Sequence, residues 1–127
     1  MSSVFDTSLP LVIVRAEIDG PSGTTDLRLA LDTGASVTLI NAAPLAMLGY
    51  DPAAAAERVE VTTGSSMAYA AFLPIRRIKA LGQERVGFPV LCHTLPPSAK
   101  VDGLLGLDFL RGHVLTVDFR EGRIHLT

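Results

Sequence analysis

The sequence lacks the residues that disulfide chemistry and export require. It has one cysteine among 127 residues, and the lone thiol of Cys92 cannot form a disulfide within the chain. The first residues, MSSVFDTSLP, lack the basic start and the apolar core of a signal peptide. A reducing compartment is therefore expected, and we predict a cytoplasmic location.

Long runs of basic or of apolar residues are also absent. The 11 basic and 13 acidic residues give a net charge of −2, and the basic residues form no run that would attract a polyanion. No apolar segment approaches the roughly 20 residues that a membrane-spanning helix needs. Neither nucleic acid nor a membrane is therefore an expected partner.

Apolar residues are nevertheless abundant, in short pieces. Hydrophobic residues make up 48% of the chain and charged residues 19%, a balance typical of a packed globular protein rather than a disordered one. A chain of 127 residues is long enough for one modest core and short for two. We therefore predict a single domain over residues 1–127.

Alternating apolar and polar residues predict strands along most of the chain. Residues 9–18 alternate, and a turn rich in glycine and proline joins them to a second strand that runs into Asp32. A hairpin follows, with a return strand over residues 67–73. In the next strand Pro89 indicates an edge or a bulge, and a last hairpin ends the chain.

Two short helices are predicted between the strands. Asn41 is placed to cap a helix that runs to Leu48 and ends at Gly49, and Asp108 to cap a single turn over residues 109–111. The alanine-rich stretch over residues 51–57 predicts a loop or one helical turn. Many short strands with few helices indicate an all-β barrel or sandwich.

The stretch LALDTGASVTLI, residues 29–40, interrupts an apolar strand with the triplet Asp32-Thr33-Gly34. Far downstream, an apolar-apolar-glycine element leads into a short predicted helix. Its residues are Leu104, Leu105 and Gly106. The joint pattern resembles the retropepsin-type aspartic proteases, and GLLGLDFLRGH is similar to their cellular and bacterial single-domain members. The resemblance implies a closed acid-protease barrel with one or two short helices.

The same resemblance implies roles for the residues of both motifs. Asp32 would be the catalytic aspartate, Thr33 would brace the two active-site loops through its hydroxyl, and the backbone of Gly34 would lie against substrate. Leu104, Leu105 and Gly106 would support the active-site loop from below. These implied roles suit an aspartic endopeptidase, in which two close carboxylates share a proton and activate water, without a cofactor.

Substrate contacts are implied next to the triplet and in a hairpin. Ala35 and Ser36 follow the triplet directly. The polar tip TTGSS lies where the family has a flap that closes over substrate. We predict that substrate contacts there come from Thr62, Thr63, Gly64 and Ser65.

A carboxylate dyad requires two aspartates, whereas the sequence contains one Asp-Thr-Gly. Asp102, although followed by glycine, is no second copy, because no hydroxyl residue stands between them. The simplest completion is a symmetric homodimer in which each subunit contributes Asp32. Viral members of the family also carry an acidic residue and an arginine where this chain has Ser36 and Leu107.

Structural alternatives exist for the polar residues. Asp32 could be a strand-end turn residue, Asp102 a turn residue and Cys92 a buried structural thiol. No metal site is expected, because the histidines have no carboxylate or cysteine partners at metal-binding spacing; they are His93, His113 and His125. The alternative functions are an inactive peptide-binding module that kept the fold, and a purely structural β-domain.

Overall fold

The computed structural model describes residues 2–55, 57–63 and 66–127, and of residues 57–63 and 66–69 it describes the backbone. The strands are β1 (Ser2–Val4), β2 (Ile13–Gly20), β3 (Gly23–Leu31), β4 (Leu39–Asn41), β5 (Glu57–Thr63), β6 (Ser66–Ala80), β7 (Gln83–His93), β8 (Gly103–Leu105), β9 (Leu115–Asp118) and β10 (Arg123–Leu126). The helices are α1 (Ala42–Met47) and α2 (Leu107–Leu110), and 3-10 turns lie at Pro52–Ala54 and Pro97–Ala99.

Six strands form a closed barrel. Their order is β2-β3-β8-β4-β7-β6, and β6 pairs back to β2, while β5 extends the seven-stranded sheet beyond β6. A second sheet of three strands, β1-β10-β9, joins both ends of the chain. The prediction of an all-β, closed barrel with short helices is therefore confirmed.

The first hairpin follows the alternation in the sequence. Val14, Ala16 and Ile18 are buried, as the pattern predicts, and the turn between β2 and β3 lies at residues 21–22. β2 begins at Ile13 rather than at residue 9, because the preceding residues are largely exposed and Pro10 has no N–H to donate. The sequence analysis also missed β1, which pairs with β10.

The return strand β6 extends to Ala80, seven residues beyond its predicted end at residue 73. The predicted end falls just before Pro74, which lies directly opposite Pro89 of β7. Both missing N–H groups therefore fall at one cross-strand position. β4 pairs with β7 from Leu91 onward. At Pro89, before that pairing begins, the described pairings of β7 are with β6 alone, as expected for an edge position.

The helices differ from the predictions in their caps. Asn41 stands at the N-cap of α1, but its side chain accepts a hydrogen bond from the backbone of Leu95 (3.2 Å) instead of capping the helix. Asp108 lies inside α2, whose N-cap is Gly106, so the prediction that Asp108 caps a helix over residues 109–111 is wrong. Its carboxylate is engaged elsewhere, as described below. Within the described residues, neither helix has the length and apolar character to cross a bilayer.

Candidate active site

The strand that ends before Asp32, β3, pairs with a segment that is distant in the sequence, β8. β8 lies between β3, to which it is parallel, and β4, to which it is antiparallel. The chain therefore leaves β3, loops around the end of β8 and returns as β4. Asp32 continues the ladder by one bond, since its N–H donates to the carbonyl of Leu105 at 3.0 Å.

Asp32 lies at the start of an exposed turn. Its Oδ1 accepts a hydrogen bond from the N–H of Gly34 at 2.9 Å, and its carbonyl accepts one from Ala35 at 3.2 Å. The side chain of Asp32 is half-buried, whereas Thr33 and Gly34 are exposed. The backbone thus orients the carboxylate and leaves the residues beside it open to solvent.

The Leu104-Leu105-Gly106 element lies directly beneath this turn. Leu105 is fully buried, and the N–H of Leu107 donates to the carbonyl of Ala35 at 2.8 Å. A Cβ atom on Gly106 would come within 2.6 Å of the Val37 carbonyl and 2.9 Å of the Ala35 oxygen. Only glycine therefore allows this close crossing of the two segments. The structure brings together the two motifs that the sequence places about 70 residues apart.

Thr38 and Asp108 hold the segment before β4 and the segment after β8 together by hydrogen bonds. Neither residue was predicted to belong to the site. The side chain of Thr38 is fully buried, and its hydroxyl donates to Asp108 Oδ1 at 2.7 Å while accepting from the N–H of Gly106 at 3.1 Å. The other carboxylate oxygen of Asp108 accepts the backbone N–H of Thr38 at 3.0 Å. The sequence did contain a signal for this role. Thr38 is a single threonine between apolar residues, and a buried hydroxyl requires a hydrogen-bond partner.

The predicted substrate contacts lie in two places. Ala35 is half-buried and Ser36 is exposed, both in the turn beside Asp32. Thr62 and Thr63 lie at the end of β5, where their backbones pair with the start of β6. Gly64 and Ser65, at the predicted hairpin tip, lie outside the described residues. Their contact with substrate remains a prediction.

The remaining candidate groups lie apart from this site. Within the described part of the chain, no cluster of three or more histidine, cysteine, aspartate or glutamate residues could hold a metal ion. Cys92 is buried in the core, and burial raises the pKa of its thiol, which keeps it protonated and unreactive. His113 accepts a hydrogen bond from the guanidinium of Arg85 at its Nε2, at 2.9 Å.

Comparisons with known proteins agree with this geometry. The fold matches the crystal structure of a retropepsin-like aspartic protease from Rickettsia conorii, with a TM-score of 0.71 and 15% sequence identity over 100% of this chain and 91% of that one. A search of the curated proteins found no match. A family model described as aspartyl protease matches residues 14–109, a range that contains both Asp32 and Gly106. On that match, the chain belongs to the aspartyl protease family.

Proposed function

We propose that this protein is an aspartic endopeptidase whose carboxylate dyad forms across a homodimer, with Asp32 of each copy as the catalytic residue. The observation that carries the proposal is the position of Asp32, at an exposed turn that the backbone and a buried hydrogen-bond network hold in place. Support of this kind suits a functional group, whose geometry must be held by packed and hydrogen-bonded neighbours.

A second copy of the chain is needed because a single carboxylate cannot perform both halves of the acid–base chemistry. Asp108 is the other carboxylate near Asp32, but both of its oxygens accept hydrogen bonds from Thr38. Thr33 is exposed, and its hydroxyl has no hydrogen bond to another described residue, so it is available to a partner copy. Both features suit a half-site that an isologous contact completes.

The reaction follows from two close carboxylates sharing one proton. The ionised aspartate removes a proton from water, and the water oxygen attacks the carbonyl carbon of the peptide bond. The protonated aspartate gives its proton to the carbonyl oxygen, which forms a neutral tetrahedral intermediate. Collapse of that intermediate re-forms the carbonyl, breaks the C–N bond and delivers a proton to the departing amine. No cofactor takes part in these steps.

The test uses the full chain and Asp32→Asn. Asparagine keeps the Oδ1 acceptor that Gly34 requires, so the turn is expected to keep its shape, while base catalysis is lost. With a diverse peptide library at acidic to neutral pH, we expect cleavage by the wild type and a drop of about 10³-fold in kcat for the variant. Glu121→Gln, an exposed carboxylate change in a distant turn, is the matched control and should retain full activity.

Two results would contradict the proposal. Equal cleavage by the wild type and Asp32→Asn would assign the activity to another group or a contaminant. Absence of cleavage by either protein, combined with saturable peptide binding, would favour the inactive peptide-binding module instead.

A further inference from the structure

A groove with apolar walls lies along the strands that lead to the Asp32 turn. It encloses about 490 Å³, and its walls come from residues 9–11, Ile13 and Val101. Two cations, Arg28 and Lys100, also line it, and among the described residues that form it there is no carboxylate. The groove therefore combines apolar surface with local positive charge in a chain whose net charge is −2.

Both walls of this groove connect directly to the Asp32 turn. Ile13 pairs with Ala30, and the N–H of Leu31 donates to the carbonyl of Val12 at 2.9 Å, one residue before Asp32. The opposite wall leads from Val101 into β8, whose last residue, Leu105, accepts the N–H of Asp32. The walls of the groove are therefore continuous with the strands that hold the Asp32 turn.

The two cations lie at a definite distance from the catalytic carboxylate. Arg28 and Asp32 share one face of the extended chain, because side chains alternate along a strand and Leu27 and Leu29 occupy the buried face. Four residues at roughly 3.3 Å each separate them by about 13 Å. The guanidinium of Arg28 donates to the Lys100 carbonyl at 3.5 Å, which brings the two cationic residues together.

Arg28 and Lys100 form no ion pair with a carboxylate among the described residues, although Asp102 lies beside them. The ion pairs within the described residues involve Arg15 and Arg77, not Arg28 or Lys100. Asp102 lines a neighbouring cavity of about 660 Å³ together with the two cations. One of its carboxylate oxygens accepts the backbone N–H of Arg28 at 2.8 Å.

We propose that Arg28 and Lys100 form a specificity site that selects peptides with an acidic residue about four positions from the cleaved bond and an apolar residue between them. The spacing follows because an extended peptide covers roughly 13 Å in about four residues. The apolar residue would occupy the groove, and the carboxylate would reach the two cations. This inference rests on the proposed function, since it names the substrate class of that site.

The experiment compares matched peptides on matched variants. The peptides carry either Glu or Gln four residues on each side of a bond that the wild type cleaves. The proteins are the wild type, Arg28→Gln/Lys100→Gln, and the control Arg76→Gln/Arg120→Gln, which removes the same charge from exposed positions outside this groove. For partly exposed charge pairs we expect the wild type to favour the Glu peptide about five-fold in kcat/KM.

Comparison of the two double variants separates recognition of the peptide by Arg28 and Lys100 from the effect of the protein's net charge. Arg28→Gln/Lys100→Gln should cleave both peptides equally, and the control should keep the wild-type preference. Added salt should reduce that preference. Equal cleavage of both peptides by the wild type, or an equal loss of preference in the control, would overturn the inference.

A failure of the proposed function is distinguishable from a failure of this inference. If the wild type cleaves no peptide, the endopeptidase proposal fails, and fluorescence anisotropy then measures binding of labelled apolar peptides that differ only by Glu or Gln at one position. Tighter binding of the Glu peptide that depends on Arg28 and Lys100 would still support the specificity site. Equal binding, or no binding, would refute it.

Discussion

Thr38 links the Asp32 turn to the segment beneath it through a single buried hydroxyl. That hydroxyl both donates to Asp108 and accepts from the N–H of Gly106, while the backbone of Thr38 donates to the second carboxylate oxygen. A buried donor and acceptor that lose their partner cost more free energy than the bond itself contributes. The side chain therefore stabilises the site out of proportion to its size.

Thr38→Val removes the hydroxyl at nearly constant volume. It leaves one oxygen of Asp108 and the N–H of Gly106 without this partner, so we expect the free energy of unfolding to fall by about 2 kcal/mol. Urea denaturation of the wild type and the variant measures the change. Thr116→Val, an exposed threonine on β9, is the control and should change stability by no more than about 0.5 kcal/mol. Equal effects of the two variants would show that the buried network contributes nothing.

At the scale of elements, local sequence patterns predict where strands lie better than they predict which strands pair with each other. Alternation correctly predicted the first hairpin, because it reports which face is buried. The insertion of β8 between β3 and β4 depends on contacts far apart in sequence, so no local pattern shows it. Asp108 illustrates the difference: its position before an apolar turn suggests a cap, but its partner is Thr38, 70 residues away.

Gly106→Ala tests the crossing of these elements. The backbone of Gly106 has an ordinary extended conformation (φ −98°), so the cost of a side chain there is steric. Its Cβ would meet the carbonyls of Val37 and Ala35, and we expect a loss of about 3 kcal/mol in the free energy of unfolding.

Gly87→Ala is the matched control for that variant. Gly87 has a positive φ of 67° and open space where a Cβ atom would stand, so its substitution carries backbone strain without a clash. We expect it to cost about 1 kcal/mol. If Gly106→Ala were no more destabilising than Gly87→Ala by thermal or urea unfolding, the close crossing would not constrain residue 106.

At the scale of the whole molecule, the proposed unit of activity is larger than the chain. The sequence supplied the triplet and its support, and the count of one triplet led to the dimer hypothesis. The structure adds that Asp32 stands at an exposed turn with Thr33 beside it. Ser36 and Leu107 stand where viral members carry an acidic residue and an arginine, and Arg28 and Lys100 are the groups proposed here for substrate recognition.

Mixing subunits tests the shared dyad directly. If each active site needs Asp32 from both copies, equal amounts of wild type and Asp32→Asn leave about one quarter of the dimers fully wild type, and activity per wild-type chain falls to about half. Excess variant should lower it further. An equal addition of Glu121→Gln, which keeps Asp32, should leave activity per chain unchanged. Activity per wild-type chain that stays constant as Asp32→Asn is added would mean that one chain holds a complete active site, and the dimeric mechanism would be wrong.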